Sequence, residues 1–215
     1  MVEPSARTPA NVSVVEHPLT SHLLAGLRDE STPPEQFRHL SKRLSTVLVL
    51  EATRNLPTRR ARVTTPLEEA DAELLDGGVV AVPILRAGLG LLEAVTDLLP
   101  DVQVGYAGLE RDESTLQPTS YYLKVPNLDG TSTLLLDPML ATGGSAAFAA
   151  SLLKERGARN VQLVCVVAAP EGIERLANEH PDVGVVTGAI DSHLNDVGFI
   201  VPGLGDFGDR LFGTS

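Results

Sequence analysis

Hydrophobic positions first recur at helical spacing and then, further along the chain, gather into short continuous runs. Phe37, Leu40, Leu44, Val47 and Leu48 share one helical face after the start signal Pro33-Pro34. Thr65-Pro66-Leu67-Glu68 has the form of a capping box with proline at the first helical position, which predicts a short helix ending at Leu75. The first 70 residues therefore read as helical, an arm packed on the core or on another subunit. From Gly77 onward the pattern changes. Val79-Val80-Ala81-Val82 is an apolar run ended by Pro83 and predicts a buried strand, followed by a helix over 88–98. Strands are predicted over 102–109, 121–125 and 133–136, then a helix over 145–156 closed by Gly157. A strand over 161–168, a helix over 171–179 and a strand over 183–187 complete the series. Continuous apolar strands alternating with helices argue for an α/β fold, with a largely parallel sheet covered on both faces. Ligands of such sheets lie outside the carboxyl ends of the strands.

Composition narrows what those ligands are. With 215 residues, 43% of them hydrophobic, the chain suits one domain with a sizeable core and needs no disulfide or structural metal for stability. Lys and Arg total 17 against 28 Asp and Glu, a net charge of −11, which excludes duplex nucleic acid as a main ligand because a phosphate backbone requires a basic face. The charge is uneven: residues 1–70 hold 9 basic and 8 acidic groups, leaving 8 and 20 for the rest. An anion bound in that acidic part has to be gripped locally, by backbone N–H groups, a few arginines or a divalent cation. Cys165, the single cysteine, reads as a small buried hydrophobe in a strand, and the five histidines show no metal-ligand spacing. No apolar run approaches 18 residues, and the first ten residues lack the apolar stretch of a signal peptide. The expectation is a soluble cytoplasmic protein with a short disordered N-terminus over 1–13.

Three strand ends carry unusual chemistry. In Leu136-Asp137-Pro138-Met139-Leu140-Ala141-Thr142-Gly143-Gly144-Ser145 an apolar strand runs into an acid, then into a glycine-rich loop at a helix start. Glycines let the backbone approach a ligand closely, and free N–H groups with the helix dipole favour phosphate. Asp137 would repel phosphate but accepts hydrogen bonds from sugar hydroxyls, so the pair suggests a ribose 5-phosphate moiety. Taken alone, Thr-Gly-Gly-Ser also fits an N-cap with a tight turn, and the loop is not a Walker A motif because the Lys-Ser/Thr is missing. In Val82-Pro83-Ile84-Leu85-Arg86-Ala87-Gly88-Leu89-Gly90 an arginine sits in an apolar strand-to-helix loop, costly unless it meets an anion or a structural carboxylate. In the stretch 198–210, five glycines or prolines crowd between Gly198 and Gly208, with Phe199, Phe207 and Phe212 near them. Apolar walls with exposed backbone groups suit a flat heterocycle read by hydrogen bonds. The polar loop 111–118 joins two strand-like runs, as a solvated hairpin tip or as a flap carrying Arg111 to an anionic substrate.

These residues resemble a known family. Pro83-Ile84-Leu85-Arg86-Ala87-Gly88-Leu89-Gly90, the loop 137–145, Ala169-Pro170-Glu171-Gly172 and Pro202-Gly203-Leu204-Gly205-Asp206 resemble the uracil phosphoribosyltransferases, and His17-Pro18-Leu19 and Tyr121-Tyr122-Leu123-Lys124 extend the likeness over most of the chain from about residue 14. The resemblance implies a type I phosphoribosyltransferase fold, a parallel-sheet core (with a small hood) over 77–215 and an N-terminal helical arm over 14–76. It implies the reaction uracil + 5-phosphoribosyl 1-diphosphate → UMP + diphosphate, assisted by Mg2+ held mainly through the diphosphate substrate rather than by protein ligands. Carried over by residue, Asp137, Pro138, Met139, Leu140, Ala141, Thr142, Gly143, Gly144 and Ser145 form the ribose-5-phosphate loop. Arg86 and Arg111 bind the diphosphate donor, and Asp206 lies beside it. Ile200, Gly205, Asp206 and Phe207 match the uracil-binding segment, and Asp137 and Arg111 are the residues implied in catalysis. No general base is assigned. The resemblance further implies a homodimer or larger assembly, and a GTP effector as in some members, for which no site is read here. Two departures stand out: Pro138 replaces the second acid most type I members carry, as in the uracil-specific branch, and Phe207 stands where many bacterial members have Ala.

Three other readings share parts of this evidence. An RNA-binding regulator of pyrimidine operons on the same fold would need a basic face, which the acidic last 145 residues oppose. A phosphoribosyltransferase for a purine or orotate would lack the 202–206 segment. A catalytically dead relative is separated from an enzyme only by assay.

Overall fold

The computed structural model describes residues 11–111 and 118–214. The expected disorder of residues 1–10 and the flap residues 112–117 lie outside them, as does the side chain of Arg111. Within the described residues, the expected disordered stretch ends early. Val12–Val14 is a strand, β1, paired in parallel with residues 185–187.

The strand periodicity sets the layers. The main sheet runs β1, β11 (Gly184–Ile190), β10 (Asn160–Ala168), β8 (Ser132–Leu136), β4 (Val79–Leu85), β6 (Tyr106–Arg111), β7 (Pro118–Lys124), every adjacent pair parallel except β6 with β7. Successive side chains on a strand point to opposite faces, and here alternation sorts them into two cores. Ala81, Leu134, Leu136, Val164 and Val166 face the helices α1 (Pro18–Arg28), α2 (Pro34–Ala52), α3 (Leu89–Leu98) and α6 (Phe207–Phe212). Val80, Val82, Leu135, Leu163 and Cys165 face α4 (Gly144–Glu155) and α5 (Pro170–Glu179). The sheet is thus covered on both faces, as its unbroken apolar runs require. Cys165 is fully buried among them, where lost solvation pushes its thiol up to about 12.

The structure corrects three expectations of local structure. The predicted helix to Leu75 is a β-hairpin, β2 (Thr58–Thr64) with β3 (Glu69–Leu75). Thr65 does accept the Leu67 and Glu68 N–H groups, as a cap would, but its own N–H donates to the Glu68 carbonyl at 2.9 Å and closes a four-residue turn. Pro83 does not end its strand, which continues to Leu85. It falls between the pairings Ala81–Val104 and Ile84–Ala107, where the neighbour changes from β5 (Gln103–Val104) to β6, so no ladder bond there needs its missing N–H. The strand expected over 102–109 is split between those two at Gly105, where a side chain would come within 2.7 Å of Val125 and 3.0 Å of the Lys124 carbonyl. Among the described residues no helix is long and apolar enough to cross a membrane.

Candidate active site

The carboxyl ends of β8, β10, β4 and β11 lie together along one edge of the sheet, and the candidate residues collect there. Past Leu136 the chain leaves the ladder for two residues. The Pro138 carbonyl takes the N–H groups of both Val166 and Val167 before β9 (Met139–Leu140) rejoins β10. This bend turns Asp137 out of the sheet. Its surroundings strip water from the carboxyl and push its pKa up to about 7, against a smaller lowering by a hydrogen bond from the Met139 N–H.

Residues 141–145 then wrap round the amino end of α4. Gly143 has φ +76°, a conformation side chains rarely adopt, and a Cβ on it would stand 2.7 Å from the Gly172 carbonyl. Gly172 is bare for the reciprocal reason, since its Cβ would meet the Ala141 carbonyl at 2.4 Å. The first turn of α5 therefore supports the loop backbone to backbone, and the motif Ala169-Pro170-Glu171-Gly172 acquires a structural reason. The first helical bond of α4 runs from the Ala147 N–H to the Gly143 carbonyl, so the preceding amides remain as donors at the positive end of the helix dipole. They line a cavity of about 130 Å³ with Asp137, Thr142 and Ser145, the geometry of an oxyanion cradle.

A second cavity of about 320 Å³ adjoins it, sharing Met139, Ala141 and Gly198 as walls. Ala87, Val197, Phe199, Ile200, Gly205, Asp206, Phe207 and Gly208 complete its lining. Asp206 caps α6, accepting the Asp209 N–H at 2.9 Å. Of the three phenylalanines expected as walls, Phe199 is half exposed on the cavity and Phe212 lies under Arg86. The Phe207 ring is turned away into the core, edge-on to Phe37 at 5.1 Å and against Gly90. The unusual residue 207 thus fills space below the cavity.

Arg86 stands at the rim beside Ala87. Its guanidinium is 3.7 Å from the Asp209 carboxylate and 5.7 Å from the centre of the Phe212 ring, and the side chain is mostly exposed. It lines neither cavity. Arg111 ends β6, the strand next to β4, so both arginines come from neighbouring strand ends.

Three further residues at this edge carry no local signal in the sequence. Asp191, nine-tenths buried, follows β11 and forms a two-pronged ion pair with Arg28 of α1 at 2.6 and 2.8 Å. Arg210 donates to the carbonyls of Leu204, Asp29 and Leu27. These are single charged residues, and only the fold brings them to one place.

Comparison with known proteins places the chain among relatives. The family model for uracil phosphoribosyltransferase matches residues 14–214. The uracil phosphoribosyltransferases of Dictyoglomus turgidum and Thermus thermophilus are 53% and 50% identical to this chain, each aligned over 94% of it and 99% of its own length. A solved protein of Aquifex aeolicus superposes with a TM-score of 0.90 at 38% identity, covering 95% of this chain and 99% of that one. A hypoxanthine phosphoribosyltransferase of Trypanosoma cruzi shares the fold at a TM-score of 0.50 and 12% identity, over 75% of this chain and 76% of its own.

Proposed function

This chain belongs to the uracil phosphoribosyltransferase family, a pentosyltransferase that makes UMP and diphosphate from uracil and 5-phosphoribosyl 1-diphosphate, and from that premise we propose where each substrate sits and which residues act on it. The carrying observation is that the two cavities lie side by side, sharing Met139, Ala141 and Gly198 in their linings. A phosphate in the smaller cavity, on the amides of residues 142–145, puts the attached ribose over Asp137 and its C1′ towards the larger cavity. Uracil in the larger cavity meets Ile200, Gly205, Asp206 and the backbone of Phe207.

In the reaction the C1′–oxygen bond to diphosphate breaks, the N1–C1′ bond forms, and uracil loses its N1 proton. Positive charge grows on the ribose and negative charge on the leaving group, so holding both substrates in line and stabilising those charges is the main catalytic work. Asp137 holds the ribose hydroxyls. Arg86, and Arg111 from the adjacent strand end, meet the diphosphate, with Arg86 leaving Asp209 and Phe212 to do so. Asp206 and the tail backbone orient uracil. Mg2+, when bound, neutralises diphosphate charge.

The assay is UMP formation from uracil, 5-phosphoribosyl 1-diphosphate and Mg2+, with orotate, cytosine and hypoxanthine beside it. Product from uracil alone is expected. No product with any base, with or without GTP as an added effector, would mark a dead relative. Arg86→Ala is expected to lower kcat/KM for the diphosphate donor by about ten- to a hundredfold, the loss of one charged contact, with the fold unchanged by circular dichroism. Near-normal kinetics would remove Arg86 from the mechanism.

We further propose that the enzyme is a homodimer or larger assembly joined through the β2–β3 hairpin. A lone two-stranded hairpin is marginal in water, yet this one leaves both faces exposed, with Leu67 at 95%, Leu75 at 51% and Leu74 at 42% exposure. A second copy would cover those leucines. Leu67→Asp with Leu74→Asp should shift the light-scattering mass towards that of one chain, and an unchanged mass would place the interface elsewhere.

A further inference from the structure

We propose that the buried Arg28–Asp191 ion pair, working with Arg210, is the device that sets the hydrogen-bonding direction of the base-reading loop. It rests on the reading that uracil occupies the cavity bordered by Gly205.

The observation concerns three consecutive peptide planes. The Gly203 N–H donates to Asp191 Oδ2 at 2.8 Å, which fixes the plane joining Pro202 to Gly203. The Gly203 carbonyl accepts from Arg28 Nη1 at 2.7 Å, which fixes the next plane. The Leu204 carbonyl accepts from Arg210 Nη1 at 2.8 Å, which fixes the third. In a planar trans peptide the carbonyl and the N–H point in opposite directions. Each anchored group therefore dictates where its partner points. The Leu204 N–H is turned away from Arg28 and the Gly205 N–H away from Arg210, and neither has a protein acceptor among the described residues. Of the two, Gly205 borders the cavity. Its N–H is the donor left for a carbonyl oxygen of the base.

The charged groups are themselves held. Asp191 accepts three hydrogen bonds from Arg28 and Gly203, with its side chain only 5% exposed. Arg28 closes α1, and Arg210 reaches the Leu27 and Asp29 carbonyls at that same helix end. Both arginines thus tie the tail to one rigid point. A buried ion pair is a poor source of net stability compared with apolar packing. It is a good source of direction, because a guanidinium offers donors in a fixed plane. Arg28 uses that plane to grip both Asp191 oxygens and the Gly203 carbonyl from two fixed nitrogens, where a lysine's single nitrogen imposes no such plane.

The test compares Arg28→Lys, Asp191→Asn and Arg210→Lys with Gly205→Ala, which puts a side chain 3.6 Å from Arg210 Cδ at a φ of +79° that side chains rarely adopt, and so disturbs the base-reading backbone directly. Steady-state kinetics are run with each substrate varied in turn, and melting temperatures are recorded alongside. The positioning variants should raise KM for uracil by about tenfold, the worth of one charged hydrogen bond. KM for the diphosphate donor should stay within about twofold. A rise in both KM values together with a lowered melting temperature would show a merely structural role and overturn the proposal, as would an unchanged uracil KM in the positioning variants while Gly205→Ala raises it. If Gly205→Ala leaves the uracil KM unchanged, the base site itself has been misplaced and the proposal falls with it. Should Arg28→Lys not fold, Arg210→Lys carries the same comparison from the opposite side of the loop.

Discussion

Asp137→Asn is expected to lower kcat/KM for 5-phosphoribosyl 1-diphosphate by roughly 10²–10⁴-fold, while the melting temperature at pH 8 holds or rises. The activity loss follows from geometry. Asp137 faces the small cavity at the end of β8, and a carboxylate that accepts two ribose hydroxyls loses about 1.5–3 kcal/mol per bond when its charge is removed. The stability gain follows from burial. Lost solvation raises the carboxyl from 3.8 to about 7 in the folded enzyme. The folded state therefore binds more protons than the unfolded chain between those values, and stability is lost as pH rises through that window. At pH 8 the charged side chain is a burden on the fold, and Asn relieves it. The same pKa fixes the sign of the pH profile. Ribose binding needs the carboxylate, so kcat/KM for the donor should climb as pH rises through about 7 in the native enzyme and lose that limb in Asp137→Asn. A variant with native kinetics and a lowered melting temperature would make Asp137 a structural acid.

Asp137 was legible in the sequence because the signal there is local: an apolar strand, an acid, then two glycines at a helix start. The same holds for the alternation of strands and helices from Gly77 onward, where each run had length and composition enough to identify itself. Local signals also misled. Thr65 and Glu68 have capping-box spacing, but the hydrogen bonds of that box also suit a tight turn between two strands, and the two differ only in what the flanking residues do. Residues 60–64 and 69–74 do alternate, with Ala61, Val63, Ala70, Ala72 and Leu74 on one face and Arg60, Arg62, Asp71 and Glu73 on the other, but with alanines this period-2 signal is weak beside the capping box. What stayed hidden was long-range. Arg28 and Asp191 are 163 positions apart and each is an ordinary charged residue until α1 and the end of β11 meet. Gly172 was visible as part of a family motif, but its reason is the close passage of the Ala141 carbonyl, a fact of packing.

Phe207→Ala should cost about 3–5 kcal/mol of stability and leave the preference for uracil intact. The residue departs from the alanine common at this place in bacterial members, and its position in the 205–207 segment invites the view that it reshapes the base pocket. The packing points elsewhere. Phe207 is only 2% exposed, its ring meets Phe37 of α2 edge-on at 5.1 Å, and it fills the space that Gly90 of α3 leaves open, since a Cβ on Gly90 would come within 2.8 Å of the ring. Phe207 therefore joins α2, α3 and α6 beneath the cavity that it also helps to line. Truncation leaves a hole among those helices that they can only partly close, and the lost edge-to-face contact adds to it. The unfolding midpoint in urea and the melting temperature read that cost, and for a domain whose total stability is on the order of 5–15 kcal/mol it is a large share. Base preference, read as the ratio of kcat/KM for uracil to that for cytosine, should change little on the proposal that the base is read by main-chain atoms of this segment. A changed ratio with stability preserved would reverse the assignment and make the ring a wall of the pocket.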